Sequence, residues 1–176
     1  TEPTGTATVA TQTAPPAAST TEATPTEPTP TETAASRDVT LYFADADAQK
    51  LVEESRTSTV AGSPLRAALV ELAGGPRAGS GGQRALPAGT QIVGTDIQGG
   101  VALVNLSEEF VAGYPSGGAA AEFAVLAPLV YTATAVDGVE KVRVTVQGQT
   151  PAPAGSQFDW GATFSRADFP DVVGSP

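Results

Sequence analysis

Residues 90–110 read TQIVGTDIQGGVALVNLSEEF, the stretch that says most about the fold. Gly99 and Gly100 can supply the positive φ angles of a two-residue hairpin turn, and segments rich in Ile and Val flank them. In the register set by that turn, six residues share the core face in three opposed pairs: Ile97 with Ala102, Thr95 with Val104, and Val93 with Leu106. We therefore expect an antiparallel pair of strands with one buried face.

The hairpin ends in four polar residues that raise the question of an active site: Asn105, Ser107, Glu108 and Glu109. Hydrolysis of a glycosidic bond needs two carboxyl groups roughly 5 to 10 Å apart, usually on different elements. Glu108 and Glu109 are adjacent, so their side chains diverge in a strand or in a helical turn, although either could pair with a distant acid such as Asp96 or Asp45. The simpler interpretation is structural: Ser107 caps the turn, the glutamates favour a helix start, and Phe110 anchors it.

Three further segments alternate or are extended in the manner of strands. DVTLYFAD (38–45) and VEKVRVTVQG (139–148) place apolar residues at every second position, and LVEESRTSTV (51–60) is a weaker extended piece.

Two segments are predicted as helices. The first has Ser63 as N-cap, Pro64 at the first helical position and Gly74 just past its end. One apolar stripe runs along it: Leu65, Ala68, Leu69 and Leu72. The second helix spans residues 117–136, and Pro128 inside it predicts a kink or a break just before the proline.

Composition divides the chain into three parts. The first 35 residues contain 13 Thr, 8 Ala and 6 Pro, too few apolar groups to offset the entropy of ordering, so residues 1–36 are predicted to be a disordered linker. Such a segment is either a tether or an ordinary flexible terminus. Residues 37–149 form the predicted domain, a two-layer α+β sandwich with a mainly antiparallel sheet and two helices on one face. Residues 150–176 form a C-terminal extension.

The C-terminal extension concentrates four of the ten aromatic residues of the chain within twelve positions: Phe158, Trp160, Phe164 and Phe169. Two interpretations are open. The segment either folds back to cover the domain, or exposes an aromatic patch that docks a ligand or partner. Phe158 and Trp160 are the candidate contacts for the second interpretation.

The chain lacks His, Cys and Met and has a formal net charge of −10. It therefore lacks the commonest general base, the thiolate nucleophile and the usual transition-metal ligands. The acidic balance opposes binding to nucleic acid or anionic lipid. DADAQK (45–50) begins like a calcium loop but has Lys50 where Gly is required, and the Gly-rich loop 74–82 is predicted to be mobile. We predict no catalytic residues, no metal and no cofactor, and expect Arg56 and Arg66 to pair with carboxylates inside the fold.

Several segments in order resemble a known family: VTLYFAD, LVEESR, PLRAALVELAGGP, ALPAGT, ALVNLSEEF and LVYTATAVDGVEKVRVTVQGQ. From about Val39 to Gln149 the chain is similar to the sporulation and spore germination, or GerMN, domain. The resemblance implies a compact α+β domain of extracytoplasmic proteins, very often lipoproteins. The family has no established catalytic residues, so the resemblance implies none in this chain.

The expected function is a non-enzymatic interaction or scaffolding module, anchored outside the cytoplasmic membrane or associated with the cell wall. Its partner is expected to be an envelope or membrane protein, with self-association open and membrane attachment only through an upstream anchor. The alternative is a solute- or glycan-binding lipoprotein that stacks sugars on Trp160. The third hypothesis is an envelope hydrolase using Glu108, Glu109 or Asp96.

Overall fold

The structure is a computed structural model that describes residues 36–115, 118–170 and 172, so the predicted linker lies outside it except for Ser36. Its helices and strands follow this order: β1 (Arg37–Ala44), β2 (Leu51–Ser58), α1 (Pro64–Gly74), β3 (Ile92–Gln98), β4 (Val101–Leu106), α2 (Glu109–Ala112), α3 (Ala119–Ala133) and β5 (Lys141–Val146). A short 3-10 turn follows at Arg166–Asp168.

The strands are divided between two sheets. β1 pairs antiparallel with β2, and a second sheet has the order β3-β4-β5. In the second sheet β3 is antiparallel to β4, whereas β5 is parallel to β4. A parallel neighbour requires a crossover connection, which the segment containing α2 and α3 supplies. α1 and α3 pack on each other and on β1. The predicted α+β class is confirmed.

Helix α1 begins as its sequence predicts. The Ser63 hydroxyl accepts the backbone N–H of Arg66 at 3.1 Å, and Pro64 is the first helical residue. The helix includes Gly74 and ends one residue later than predicted, because Gly75 adopts a φ of 90° that favours glycine. The predicted apolar stripe is buried.

The β3–β4 hairpin forms around Gly99 and Gly100, both with positive φ. The register of two of the three predicted pairs is confirmed: Ile97 with Ala102, and Thr95 with Val104. Their predicted burial is only partly correct, because Ala102 and Val104 are buried, Thr95 is half-buried and Ile97 is 38% exposed. The prediction for Val93 is wrong, because a bulge shifts the register and leaves Val93 50% exposed.

The bulge turns Ile92 into the core in place of Val93. Ile92 pairs with Leu106 and is 7% exposed. One guanidinium nitrogen of Arg66 donates to the Ile92 carbonyl at 3.1 Å. Arg66 thus binds a backbone carbonyl, and the expectation that it pairs with a carboxylate is wrong, since the irregular ladder offers it an acceptor.

Helix α3 passes through Pro128 without the expected break. A proline inside a helix costs roughly 3 kcal/mol through the lost hydrogen bond and the ring clash. Every residue of 125–133 is buried, so tertiary packing offsets that cost.

The C-terminal segment folds onto the domain. Phe164 and Val142 exchange two backbone hydrogen bonds at 2.7 and 2.8 Å, which covers the free edge of β5 at that point. The Tyr131 hydroxyl donates to the carbonyl of Phe169 at 2.9 Å, so the same segment lies against α3.

A buried ion pair holds the Gly-rich loop to β2. Glu54 Oε1 lies 2.6 Å from Arg56 Nε, and both side chains are buried or nearly so. Arg56 also donates to the Gly75 carbonyl at 2.7 Å, while Glu54 accepts the backbone N–H of Arg77 at 3.1 Å. The expected pairing of Arg56 is confirmed. These bonds attach the start of the loop to β2, and the mobility of the loop stays a prediction.

Glu54 is held in its charged form by these contacts. Burial alone raises the pKa of Glu54, but the hydrogen bonds and positive charges of Arg56 and Arg77 outweigh burial and lower that pKa below its usual value. A lowered pKa in the folded state stabilises the fold above the pKa of the unfolded chain. This stabilisation is lost as the pH falls through the lowered pKa.

We expect Glu54→Gln to lower the free energy of unfolding by about 3 kcal/mol at neutral pH, because Arg56 loses its buried partner. Urea unfolding of the full chain measures this loss. Glu71→Gln is the matched control: Glu71 lies 3.6 Å from Arg56 and is 26% exposed, so its loss should stay below about 1 kcal/mol. The difference in the free energy of unfolding between the wild type and Glu54→Gln should narrow as the pH falls below about 4, because Glu54 of the wild type then becomes protonated. Equal losses in the two variants would contradict this account.

Candidate functional site

The outer side of the three-stranded sheet is open in the described part of the chain. Alternate residues of β4 and β5 point inward and are buried: Ala102, Val104, Leu106, Val142 and Val144. The residues between them, with their neighbours on β3, form the open sheet face: Gly94, Asp96, Gln98, Val101, Leu103, Asn105, Lys141, Arg143 and Thr145. On this face the charged side chains are exposed and the β4 side chains are half-buried.

The open sheet face separates opposite charges with an apolar strip. The register places Asp96, Leu103 and Arg143 in one row across the three strands. Lys141 lies two residues before Arg143 on the same side of β5, next to Val101. Because neighbouring strands lie about 4.8 Å apart, Asp96 and Arg143 are about 10 Å apart along the row. Each charge therefore stays available to a partner.

Asp96 is held ionised by its local hydrogen bonds. Its carboxylate accepts the Gln98 side-chain amide at 2.7 Å and the Ile97 backbone N–H at 2.9 Å. These hydrogen bonds, that from Gln98 first, lower the pKa of Asp96 below its usual value. A carboxyl with a lowered pKa is a poor general acid near neutral pH.

The four polar residues at the end of the hairpin do not converge on a site. Asn105 Oδ1 accepts the N–H of Gly148 at 2.9 Å and the hydroxyl of Thr145 at 3.2 Å, which fixes the turn after β5. The Ser107 hydroxyl accepts the N–H of Gln91 at 2.9 Å and so extends the hairpin. Ser107 is not the N-cap of α2, which starts after Glu108 without a side-chain cap. Phe110 is buried as predicted.

Glu108 and Glu109 are both exposed at the start of α2. A hydrogen bond from the Ser107 side chain lowers the pKa of Glu109, so this carboxyl also stays charged at neutral pH. A glycosidase acid instead needs a raised pKa in a buried setting. In the described part of the chain, none of the three clefts is lined by Glu108, Glu109 or Asp96.

Asp45 has a structural partner as well. Its Oδ1 accepts the backbone N–H groups of Gln49 and Lys50 at 2.9 and 3.1 Å, which closes the turn between β1 and β2 and lowers the pKa of Asp45. Across residues 36–115, 118–170 and 172, no group of three acidic side chains has the arrangement of a metal site.

A buried carboxylate on α3 was not foreseen from the sequence. Glu122 is 1% exposed, and both of its oxygens accept the backbone N–H of Gln157 at 3.1 Å. The Tyr114 hydroxyl lies 3.4 Å from Glu122 Oε1. Burial, followed by the nearby charge of Glu122, raises the pKa of Tyr114. The sequence could have indicated this burial through helical spacing, because Glu122 lies one turn before Leu126 on the inward side of the helix.

Trp160 and Phe158 lie beside this carboxylate in an aromatic cluster. Trp160 is 4% exposed, its indole N–H donates to the Ser156 hydroxyl at 2.8 Å, and its ring contacts Phe110, Tyr114 and Phe164 edge-on. Phe158 is half-buried against Phe164 and Phe169. Both residues line a shallow depression of about 290 Å³ with Pro151 and Pro153. Because these rings pack against other aromatic residues, the structure favours the interpretation in which the segment folds back and covers the domain. Ligand binding by Phe158 and Trp160 stays a prediction.

We expect Glu122→Ala to loosen the C-terminal segment, because the N–H of Gln157 and the Tyr114 hydroxyl lose their acceptor. The free energy of unfolding should fall by about 1 to 3 kcal/mol. The emission of Trp160, the only tryptophan, should shift to the red and become more accessible to acrylamide. Glu140→Ala, at an exposed position, is the control and should leave the emission unchanged. Unchanged quenching in Glu122→Ala would show that this carboxylate does not hold the segment.

Comparisons with solved structures show the same fold. A crystal structure described as a candidate lipoprotein from Clostridium perfringens is 25% identical, with a TM-score of 0.54, over 76% of this chain and 89% of that chain. The tandem GerMN domains of the sporulation protein GerM from Bacillus subtilis are 23% identical, with a TM-score of 0.60, over 76% of this chain and 48% of that chain. The first GerMN domain of GerM from Bacillus subtilis is 22% identical, with a TM-score of 0.52, over 66% of this chain and 90% of that chain.

No curated protein sequence matches the chain significantly. The family model described as "Sporulation and spore germination" matches residues 40–151, more than half of the 176 residues. This match agrees with the resemblance predicted for residues 39–149. The chain therefore belongs to the sporulation and spore germination family, the Germane family, and its domain has the GerMN fold.

Proposed function

We propose that this chain is a non-catalytic module of the cell envelope that binds a partner protein through the open sheet face. The observation that carries the proposal is the row of Asp96, Leu103 and Arg143, an apolar centre between exposed opposite charges. Protein interfaces combine an apolar centre with a polar rim, and Arg is enriched in them. The family match and the similarity to a candidate lipoprotein support an extracytoplasmic place for this interaction.

The fold around the open sheet face favours binding over catalysis. The acids of the sequence-based hydrolase hypothesis are exposed, and Asp96 and Glu109 have lowered pKa values. Glu54 and Glu122, the carboxylates that are buried in the described part of the chain, are occupied by contacts that hold a loop and the C-terminal segment. None of the helices within the described residues is long and apolar enough to cross a bilayer. The predicted linker would set the reach of the domain from its anchor.

The test is capture of envelope proteins on the immobilised full chain, with quantification by mass spectrometry. The amount of partner that the wild type captures should fall at least about tenfold with Arg143→Glu, because the substitution reverses the charge beside Leu103. Lys50→Glu makes the same charge change on the exposed turn between β1 and β2, and it should retain the partner. Circular dichroism establishes that both variants are folded. Equal capture by the two variants, or no enrichment on the wild type, would refute the proposal.

Glycan binding is the second candidate, and the depression beside Phe158 and Trp160 favours it. Soluble cell-wall fragments should then shift the emission of Trp160, because a sugar placed there displaces water from the indole edge. Phe158→Ala should weaken the response and Phe123→Ala should not, since Phe123 packs on Phe169 outside the depression. An emission spectrum insensitive to every fragment would remove this candidate.

A further inference from the structure

Within residues 36–115, 118–170 and 172, the outer edge of β1 is covered along only part of its length. β1 pairs with β2 on one side, and on the other side the Tyr42 backbone N–H donates to the buried hydroxyl of Thr132 on α3 at 3.0 Å. A helix side chain thus replaces a neighbouring strand at this point. Unpaired strand edges in native proteins are commonly covered in this way.

The cover stops where α3 ends. Backbone groups of an antiparallel strand alternate in direction, so the N–H and C=O of Thr40 and Asp38 point to the same side as those of Tyr42, away from β2. α3 ends at Ala133, one residue after Thr132. The backbone N–H and C=O of Thr40 form no hydrogen bond to any described residue outside the ladder with β2.

A cleft lies beside this uncovered edge. We name it the β1 edge cleft; eight residues line it: Asp38, Val39, Thr40, Pro64, Ala68, Ala135, Val136 and Asp137. Its walls come from the first turns of α1 and from the residues that follow α3, and most of them are small or apolar. Its volume of about 210 Å³ lies below the roughly 300 Å³ at which small-molecule sites begin, so the cleft suits the side chains of a peptide.

The charge of the β1 edge cleft indicates the kind of peptide. Asp38 and Asp137 are both exposed at the cleft, and none of the eight lining residues is basic. A ligand that brings Lys or Arg beside a small apolar residue would complement both the acidic rim and the apolar walls. An acidic peptide would be repelled by the rim.

We propose that the β1 edge cleft binds an extended basic peptide segment of a partner protein, which pairs with the β1 backbone at Asp38 and Thr40. Main-chain hydrogen bonds to the strand edge hold the peptide, and the cleft accepts one small apolar side chain. A Lys or Arg of the peptide pairs with Asp137 or Asp38. This site shares no residue with the open sheet face, so it goes beyond the proposed function and can fail or succeed independently of it.

The experiment titrates the peptide acetyl-Lys-Thr-Val-Thr-Lys-amide into the ¹⁵N-labelled full chain. Saturable shifts of the Thr40 and Asp38 amide resonances are expected, with no comparable shift of Leu103 on the open sheet face. A peptide with Glu in place of both Lys residues should bind at least about tenfold more weakly, because the rim is acidic. A peptide N-methylated at Val should also lose binding, because it cannot form the ladder.

Two variants locate the site on the protein. Asp137→Lys should weaken binding at least about tenfold, whereas Asp47→Lys, the same change on the exposed turn between β1 and β2, should not. Ala135→Leu fills the cleft from an exposed position and should abolish the shifts. Equal binding of the Lys and Glu peptides, or of the N-methylated peptide, would overturn the proposal. So would amide shifts of Thr40 that depend on protein concentration alone, because the occupant would then be a second copy of the chain.

Discussion

The fold depends on the enclosure of α3, a helix that is buried on all sides along its second half. Residues 125–133 leave no exposed face, so each side of the helix needs a neighbour. α1 and β1 provide two of these neighbours, and the C-terminal segment provides another through Phe169, which contacts both Tyr131 and Phe123. The aromatic residues beyond β5 therefore complete the core, which explains why a stretch without regular secondary structure carries so many of them.

Two glutamate side chains are buried among the described residues, and their burial is compensated in different ways. Glu54 meets two arginines, which join β2 to the loop after α1. Glu122 instead meets a backbone N–H and a tyrosine hydroxyl, which join α3 to the C-terminal segment. Burial of a carboxylate is costly unless hydrogen bonds or opposite charges replace its water. Both sites connect distant parts of the chain, so in this domain the hydrogen bonds of buried glutamates fix where a loop and the C-terminal segment lie.

The sequence predicted those elements whose signal is local. The alternation of apolar and polar residues predicted β1 and β5, and Ser63 as N-cap with Pro64 predicted the start of α1. The bulge at Val93 could not be predicted, because the alternation of residues within β3 does not reveal where the ladder with β4 shifts its register.

Other features escaped prediction for a similar reason. Pro128 stays inside a continuous helix, since tertiary burial outweighs a local preference. The rows of the open sheet face depend on the parallel pairing of β4 with β5, which the alternation of residues within one strand does not reveal. The β1 edge cleft depends on where α3 ends relative to β1.

The bond between the Tyr42 N–H and Thr132 spans 90 residues of sequence, and it has a consequence for the order of synthesis. The hairpin of β1 and β2 leaves the ribosome first, yet its edge stays unprotected until α3 has been made. α3 in turn stays uncovered until Phe169 has been added. Contacts between such distant residues close slowly because of the entropy of large loops. The β1 edge is thus covered at Tyr42 only after synthesis has reached α3, and α3 is itself enclosed only after Phe169 has been added.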